Sequence, residues 1–101
     1  MENSLDHIKE GHLDTVWTNG CFDIIHVGHV SLFKYAKSLG DFLVVGIDTD
    51  ERVKSFKGDS RPVNSLIDRI TVLESISYVD SVVTFGTDQE LRDLVKAFAP
   101  S

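Results

Sequence analysis

The sequence predicts an α/β fold, a mainly parallel sheet flanked by helices, and three observations lead there. β-branched and apolar stretches alternate along the chain with stretches whose apolar residues recur at helical spacing. The apolar run between Asp41 and Asp48 is continuous rather than alternating, as in a central strand covered on both faces. Asn19-Gly20-Cys21-Phe22-Asp23-Ile24-Ile25-His26-Val27-Gly28-His29 gathers two histidines, two glycines and a carboxylate where a strand hands over to a helix.

Taken in order, residues 1–14 place Leu5, Ile8 and Leu13 among polar residues and read as a short amphipathic N-terminal helix or arm. Thr15–Thr18 is a first strand, rich in β-branched and aromatic residues. From about Gly28 to Leu39, Val30, Phe33, Ala36 and Leu39 define a helix face, with Gly40 as its C-terminal stop. Asp41–Asp48 is the central strand. The chain then passes Asp48-Thr49-Asp50 into a basic stretch and a loop over 58–64. Ser65 to Asp68 matches a capping box and opens a helix with Leu66, Ile67, Ile70, Leu73 and Ile76 inward and Arg69 on the other side. Tyr78–Phe85 is a third strand, ended by Gly86. Thr87-x-x-Glu90 caps a last helix with Leu91, Leu94, Val95 and Phe98 on its inner face, stopped by Pro100. The β-α-β-α-β-α pattern is a single domain over 1–101 with an open sheet edge, and that edge gives a physical motive for a homodimer.

Composition narrows the function classes. Sixteen acidic against ten basic residues give a net charge of -6, which argues against general affinity for nucleic acid or acidic membranes. One cysteine excludes an intramolecular disulfide; with no signal-peptide pattern and no long apolar run, a cytoplasmic protein is expected. Four of the ten basic residues, Arg52, Lys54, Lys57 and Arg61, fall in one ten-residue stretch. The stretch reads either as cations gathered for a particular anion or as a solvated charged loop.

A glycine-bearing strand-to-helix turn brings backbone N–H groups and the positive end of a helix dipole to one spot, which suits phosphate. His26 and His29, three apart, can lean over one side of the first helical turn and donate hydrogen bonds to phosphate oxygens. Gly28 leaves no side chain to obstruct a ligand. His-x-x-His with Cys21 nearby is part of a zinc pattern, but there is no second ligand cluster, so no resident metal is assigned. Cys21 lacks a base and is read as a small buried residue. Ligands of open α/β sheets bind outside the carboxyl ends of strands, which places Asn19–His29 beside Asp48–Lys57. There Asp50 orients a substrate hydroxyl or a magnesium-bound water, or caps the next turn. Arg69 is either a phosphate or carboxylate clamp or a surface ion pair.

On these residues the sequence resembles the HxGH-type nucleotidyltransferases, from about Val16 to the end, with Gly20–His29 as the core of the likeness. Thr18–Asp23, Val53–Gly58, Arg61-Pro62-Val63 and Asp68-Arg69 are most similar to the heptose-1-phosphate adenylyltransferase branch, the adenylyltransferase domain of the bifunctional heptose kinase. The resemblance implies a Rossmann-like fold and attack by a sugar 1-phosphate on the α-phosphate of ATP, releasing pyrophosphate and giving an ADP-sugar such as ADP-heptose. It implies His26, His29 and Lys54 in catalysis. Asn19, Gly20, Cys21, Phe22, Gly28 and Lys57 would bind nucleotide; Asp23, Asp50 and Arg69 would position substrates. Mg2+ would arrive with the triphosphate. The second branch, glycerol-3-phosphate cytidylyltransferases using CTP, more typically opens Gly-Thr-Phe-Asp. The family usually continues into another strand and a Ser/Thr-rich lid, so relative to it these 101 residues are expected to form a C-terminally truncated domain without that strand and lid. A nucleotide-binding or assembly module without catalysis is therefore the third expectation.

Overall fold

The computed structural model describes residues 14–98. The expected helix or arm over 1–14 lies outside them apart from Asp14, as does Pro100. The elements are β1 (Thr15–Gly20), α1 (Val27–Ser38), β2 (Phe42–Asp48), α2 (Asp50–Lys57), α3 (Leu66–Glu74), β3 (Ser81–Phe85) and α4 (Asp88–Phe98). The sheet order is β1-β2-β3 and both pairings are parallel, with Thr15 opposite Phe42 and Val44 opposite Ser81. All carboxyl ends therefore lie at one edge, the end where the turn after β1 sits.

Side chains alternate across β2 and divide the molecule into two layers. Leu43, Val45 and Ile47 are buried against Phe33 and Ala36 of α1, Leu73 of α3 and Phe22 of the turn. Val44 and Gly46 face the other way. There the Trp17 ring covers Gly46 and stacks on Phe98 of α4 at 6.3 Å between centroids. A Cβ on Gly46 would lie 2.5 Å from Trp17 Cζ2. Gly46→Ala is therefore expected to cost about 1–3 kcal/mol by overpacking, read as a lowered urea midpoint at unchanged slope. An unchanged midpoint would show that the indole yields freely.

Several sequence expectations need correction. Asp50–Lys57 forms a helix, an element the β-α-β-α-β-α reading does not contain; Thr49 caps it, its Oγ1 accepting from Arg52 N at 3.3 Å, and Val53 is its one buried residue. One buried position in eight gives no periodic signal. Gly40 is no left-handed stop. α1 closes on Leu39 in a right-handed conformation, and Gly40 is needed because a Cβ there would meet the Asp14 carbonyl at 2.6 Å. Leu39 and Ile67, expected inward, are 58% and 74% exposed. β3 is shorter than Tyr78–Phe85, and Tyr78 and Val79 pack on the core from the connection before it.

Candidate active site

The site begins where β1 ends. Phe22 adopts φ 50, a left-handed conformation that costs a non-glycine residue about 1–2 kcal/mol. Packing holds it: the ring is buried edge-on against Phe33 at 5.3 Å and against His29 at 5.4 Å. Gly20 belongs to the same arrangement, since a Cβ there would sit 3.1 Å from the ring. Asp23, 8% exposed, accepts hydrogen bonds from the Val63 and Asn64 amides, both at 2.8 Å, while Asn64 Nδ2 donates to the Asp23 carbonyl at 2.6 Å. Arg61 approaches the carboxylate at 3.7 Å. Burial pushes the Asp23 carboxyl up, but the two amides and the charges of Arg61 and Arg69 outweigh it and hold it below its ordinary value. Asp23 thus fastens the turn to the loop that enters α3.

His26 and His29 cap α1 reciprocally. His26, with extended φ −137, is the N-cap, and its Nδ1 accepts from Gly28 N at 3.0 Å. His29 Nδ1 accepts from His26 N at 3.1 Å. This is a capping box built from two imidazoles in place of the usual hydroxyl and carboxylate. It also assigns the tautomers: a neutral ring that accepts at Nδ1 carries its proton on Nε2. The rings lie 4.1 Å apart, so two Nε2–H donors stand together at the start of one helix. Burial, then the neighbouring His26, lowers the pKa of His29 from its ordinary 6.5, so it is neutral at pH 7. Gly28 makes the cap possible, because a Cβ there would lie 2.8 Å from His26 Cε1. With the Gly28 amide taken by His26 and the His26 amide by His29, the two imidazole N–H groups are side-chain donors left to an anion at this helix start.

At the end of β2, Asp48, Thr49 and Asp50 each have a partner. Asp48 Oδ1 accepts from Arg52 Nε at 2.8 Å, and Arg52 Nη2 pairs with Asp88 at 2.8 Å while its guanidinium stacks on Phe56 and Phe85. Arg52 is therefore satisfied inside the fold and unavailable to a ligand, contrary to the reading of four gathered cations; Arg61 leans on Asp23. Lys54 and Lys57, on the exposed side of α2, make no ion pair among the described residues and remain the cations open to an anion.

Arg69 departs furthest from expectation. It is 1% exposed, neither a surface ion pair nor a clamp open to solvent. Its Nη1 donates to the carbonyls of Cys21 at 2.9 Å and Asp48 at 2.8 Å, so the loops after β1 and β2 are adjacent, as expected for strand carboxyl ends. Asp50 does not cap α2; its Oδ1 accepts from Arg69 Nη2 at 2.6 Å. Cys21 is a half-buried free thiol rather than a core residue, and exposed Asn19 accepts from Trp17 Nε1 at 2.8 Å through its side-chain oxygen. Asn64 was missed as a site residue. Its signal was the proline-containing loop, which shows a turn but not the turn's partner.

Beside the turn an open pocket of about 220 Å3 lies between Phe22–Ile25 and the start of α3. Among the described residues no three His, Cys, Asp or Glu side chains are grouped to hold a metal ion, and no helix is long and apolar enough to cross a membrane.

A sequence profile of the family described as Cytidylyltransferase-like matches residues 17–101. The chain belongs to this family. It is 46% identical over 100 residues to the bifunctional protein HldE of Helicobacter pylori, covering 99% of this chain and 21% of that one. It is 51% identical over 85 residues to the HldE of Campylobacter fetus, covering 84% of this chain and 18% of the other. The chain thus spans about a fifth of the length of these curated relatives. The fold matches the crystal structure of a lipopolysaccharide core biosynthesis protein from Thermoplasma volcanium with a TM-score of 0.74 and 28% identity, over 85% of this chain and 68% of that one. The match over residues 17–101 takes in both the histidine turn and the lysine-bearing helix.

Proposed function

We propose that the chain transfers an adenylyl group from ATP to a sugar 1-phosphate, giving an ADP-sugar such as ADP-heptose and pyrophosphate. A phosphate oxygen of the sugar 1-phosphate forms a bond to the α-phosphorus. The bond from that phosphorus to the bridging oxygen breaks, and pyrophosphate leaves with the electron pair. Catalysis of such a step is positioning and charge stabilisation, with no covalent enzyme intermediate. The observation that carries the reading is the reciprocal histidine cap, in which both rings accept at Nδ1, leaving Nε2 as the donor atom, and lie 4.1 Å apart between centroids.

In this reading His26 and His29 donate to the oxygens on which charge builds at the α-phosphate, and Asn19 to Phe22 line the approach of the nucleotide. Lys54 and Lys57 neutralise triphosphate and acceptor phosphate. Magnesium supplies charge neutralisation on the triphosphate when bound. The imidazoles do not suit it, because their Nδ1 lone pairs are already used; Asp50, with one oxygen left after Arg69 takes the other, is the group that would hold it.

The test is pyrophosphate release with magnesium, ATP or CTP, and a panel of sugar 1-phosphates with glycerol 3-phosphate. Release from ATP with a sugar 1-phosphate is expected. Release only from CTP with glycerol 3-phosphate would move the chain to the cytidylyltransferase branch. Nucleotide binding with no release for any acceptor would make it a binding or assembly module.

A further inference from the structure

A buried guanidinium is costly unless acceptors surround it. Around Arg69 four acceptors come from three separate pieces of chain. Nε donates to the Asn64 carbonyl at 3.1 Å, in the loop that enters α3, and Nη1 to Cys21 and Asp48, at the ends of the loop after β1 and of β2. Nη2 donates to Asp50, the first residue of α2. Three of the four acceptors are uncharged carbonyls. The one charged acceptor is Asp50, whose side chain is 36% exposed at the same sheet edge as the histidine turn.

We infer that Arg69 is a positioning residue for the transfer: it holds the Asp50 carboxylate, and the lysine-bearing helix that Asp50 begins, in fixed relation to the turn bearing His26 and His29. It does so without touching substrate. The inference rests on the nucleotidyl-transfer reading and adds to it a residue that acts through others. A lysine cannot replace it, because a single ammonium nitrogen cannot reach acceptors that a planar fork spans with three nitrogens. A displacement of about 1 Å in a positioned group costs on the order of 100-fold in rate.

Arg69→Lys, which keeps the charge, is expected to lower kcat for pyrophosphate release about 30-fold or more, with KM for the triphosphate changed less than about threefold. Asp50→Ala should reproduce most of that loss, and the double variant should be little worse than either single one, since the two residues act as one unit. A role in stability alone predicts the opposite: full kcat below the melting temperature and additive effects. In NMR spectra the Arg69→Lys amide shifts should concentrate in residues 19–29 and 48–50 and leave 91–96 in place.

An unchanged kcat, additive effects, or shifts spread over the whole chain would each overturn the inference. If Arg69→Lys does not fold, Asp50→Ala is read by kcat and amide shifts together: lost kcat with shifts reaching residues 19–29 supports the inference, and full kcat, or shifts that leave 19–29 in place, overturns it. If the unaltered chain releases no pyrophosphate, the transfer reading fails by itself. The amide shifts then decide whether Arg69 couples the two loops, local shifts supporting that coupling and dispersed or absent ones rejecting it.

Discussion

Replacing His29 by alanine is expected to lower kcat for pyrophosphate release about 100-fold or more, the usual scale when one aligned donor to a transition-state oxyanion is removed. Two contributions are mixed in that number. The ring presents Nε2–H, and its Nδ1 also accepts the His26 amide, a cap whose loss costs about 1 kcal/mol of stability. His29→Glu separates them. Glutamate is the ordinary third-position partner of a capping box, so it keeps the bond to the His26 amide while offering no donor and adding negative charge. His29→Glu should therefore melt near the unaltered chain and be at least as inactive as the alanine variant. Recovery of activity in His29→Glu would mean that His29 matters only as a cap.

The same residue carries a pH dependence of stability. Its pKa lies below the ordinary 6.5 in the folded chain, because burial and then His26 disfavour the imidazolium. The unfolded chain therefore takes up a proton first as pH falls. Stability associated with His29 is complete above about pH 6.5 and declines as pH drops from there through the lower folded value.

The layered fold was legible because burial leaves a pattern. The run ending at Asp48, the helical spacing of Phe33 and Ala36, and the box at Ser65 each state their environment locally. The turn was legible for a related reason: glycines at 20 and 28 are forced by the rings of Phe22 and His26 lying against them. The contents of the site were less so. Helix periodicity placed Arg69 away from the core, and by angle alone that was reasonable. Its burial comes from carbonyls contributed by residues 5 to 48 positions away, which no window around it contains. Arg52 misled in the same way. Its local companions Lys54 and Lys57 suggested a common anion, whereas one of its carboxylates, Asp88, lies in another helix. Charge clusters in sequence show how many cations are near, and only the fold shows how many are already answered.

Asp23→Ala is expected to destabilise the chain by about 3 kcal/mol, because it leaves two part-buried amide donors without an acceptor and removes the carboxylate that Arg61 approaches. At a urea slope of about 1–2 kcal/mol/M, that moves the midpoint by roughly 2 M. Asp23→Asn keeps one acceptor and loses the charge, so a smaller shift is expected. The sign of the pH dependence follows from the depressed carboxyl. The folded value lies below the ordinary 3.8, so the stabilisation is fully present above about pH 3.8 and is lost as pH falls through the folded value. The gap between the unaltered chain and Asp23→Asn should therefore be constant from pH 7 to about pH 5 and close on further acidification. A gap that stays constant below the carboxylate range would show that the Asp23 charge is not what binds the turn to the Val63 and Asn64 amides. Closure of the gap together with loss of pyrophosphate release would tie the placement of the histidine turn to this single carboxylate, since no other side chain among the described residues accepts from both amides.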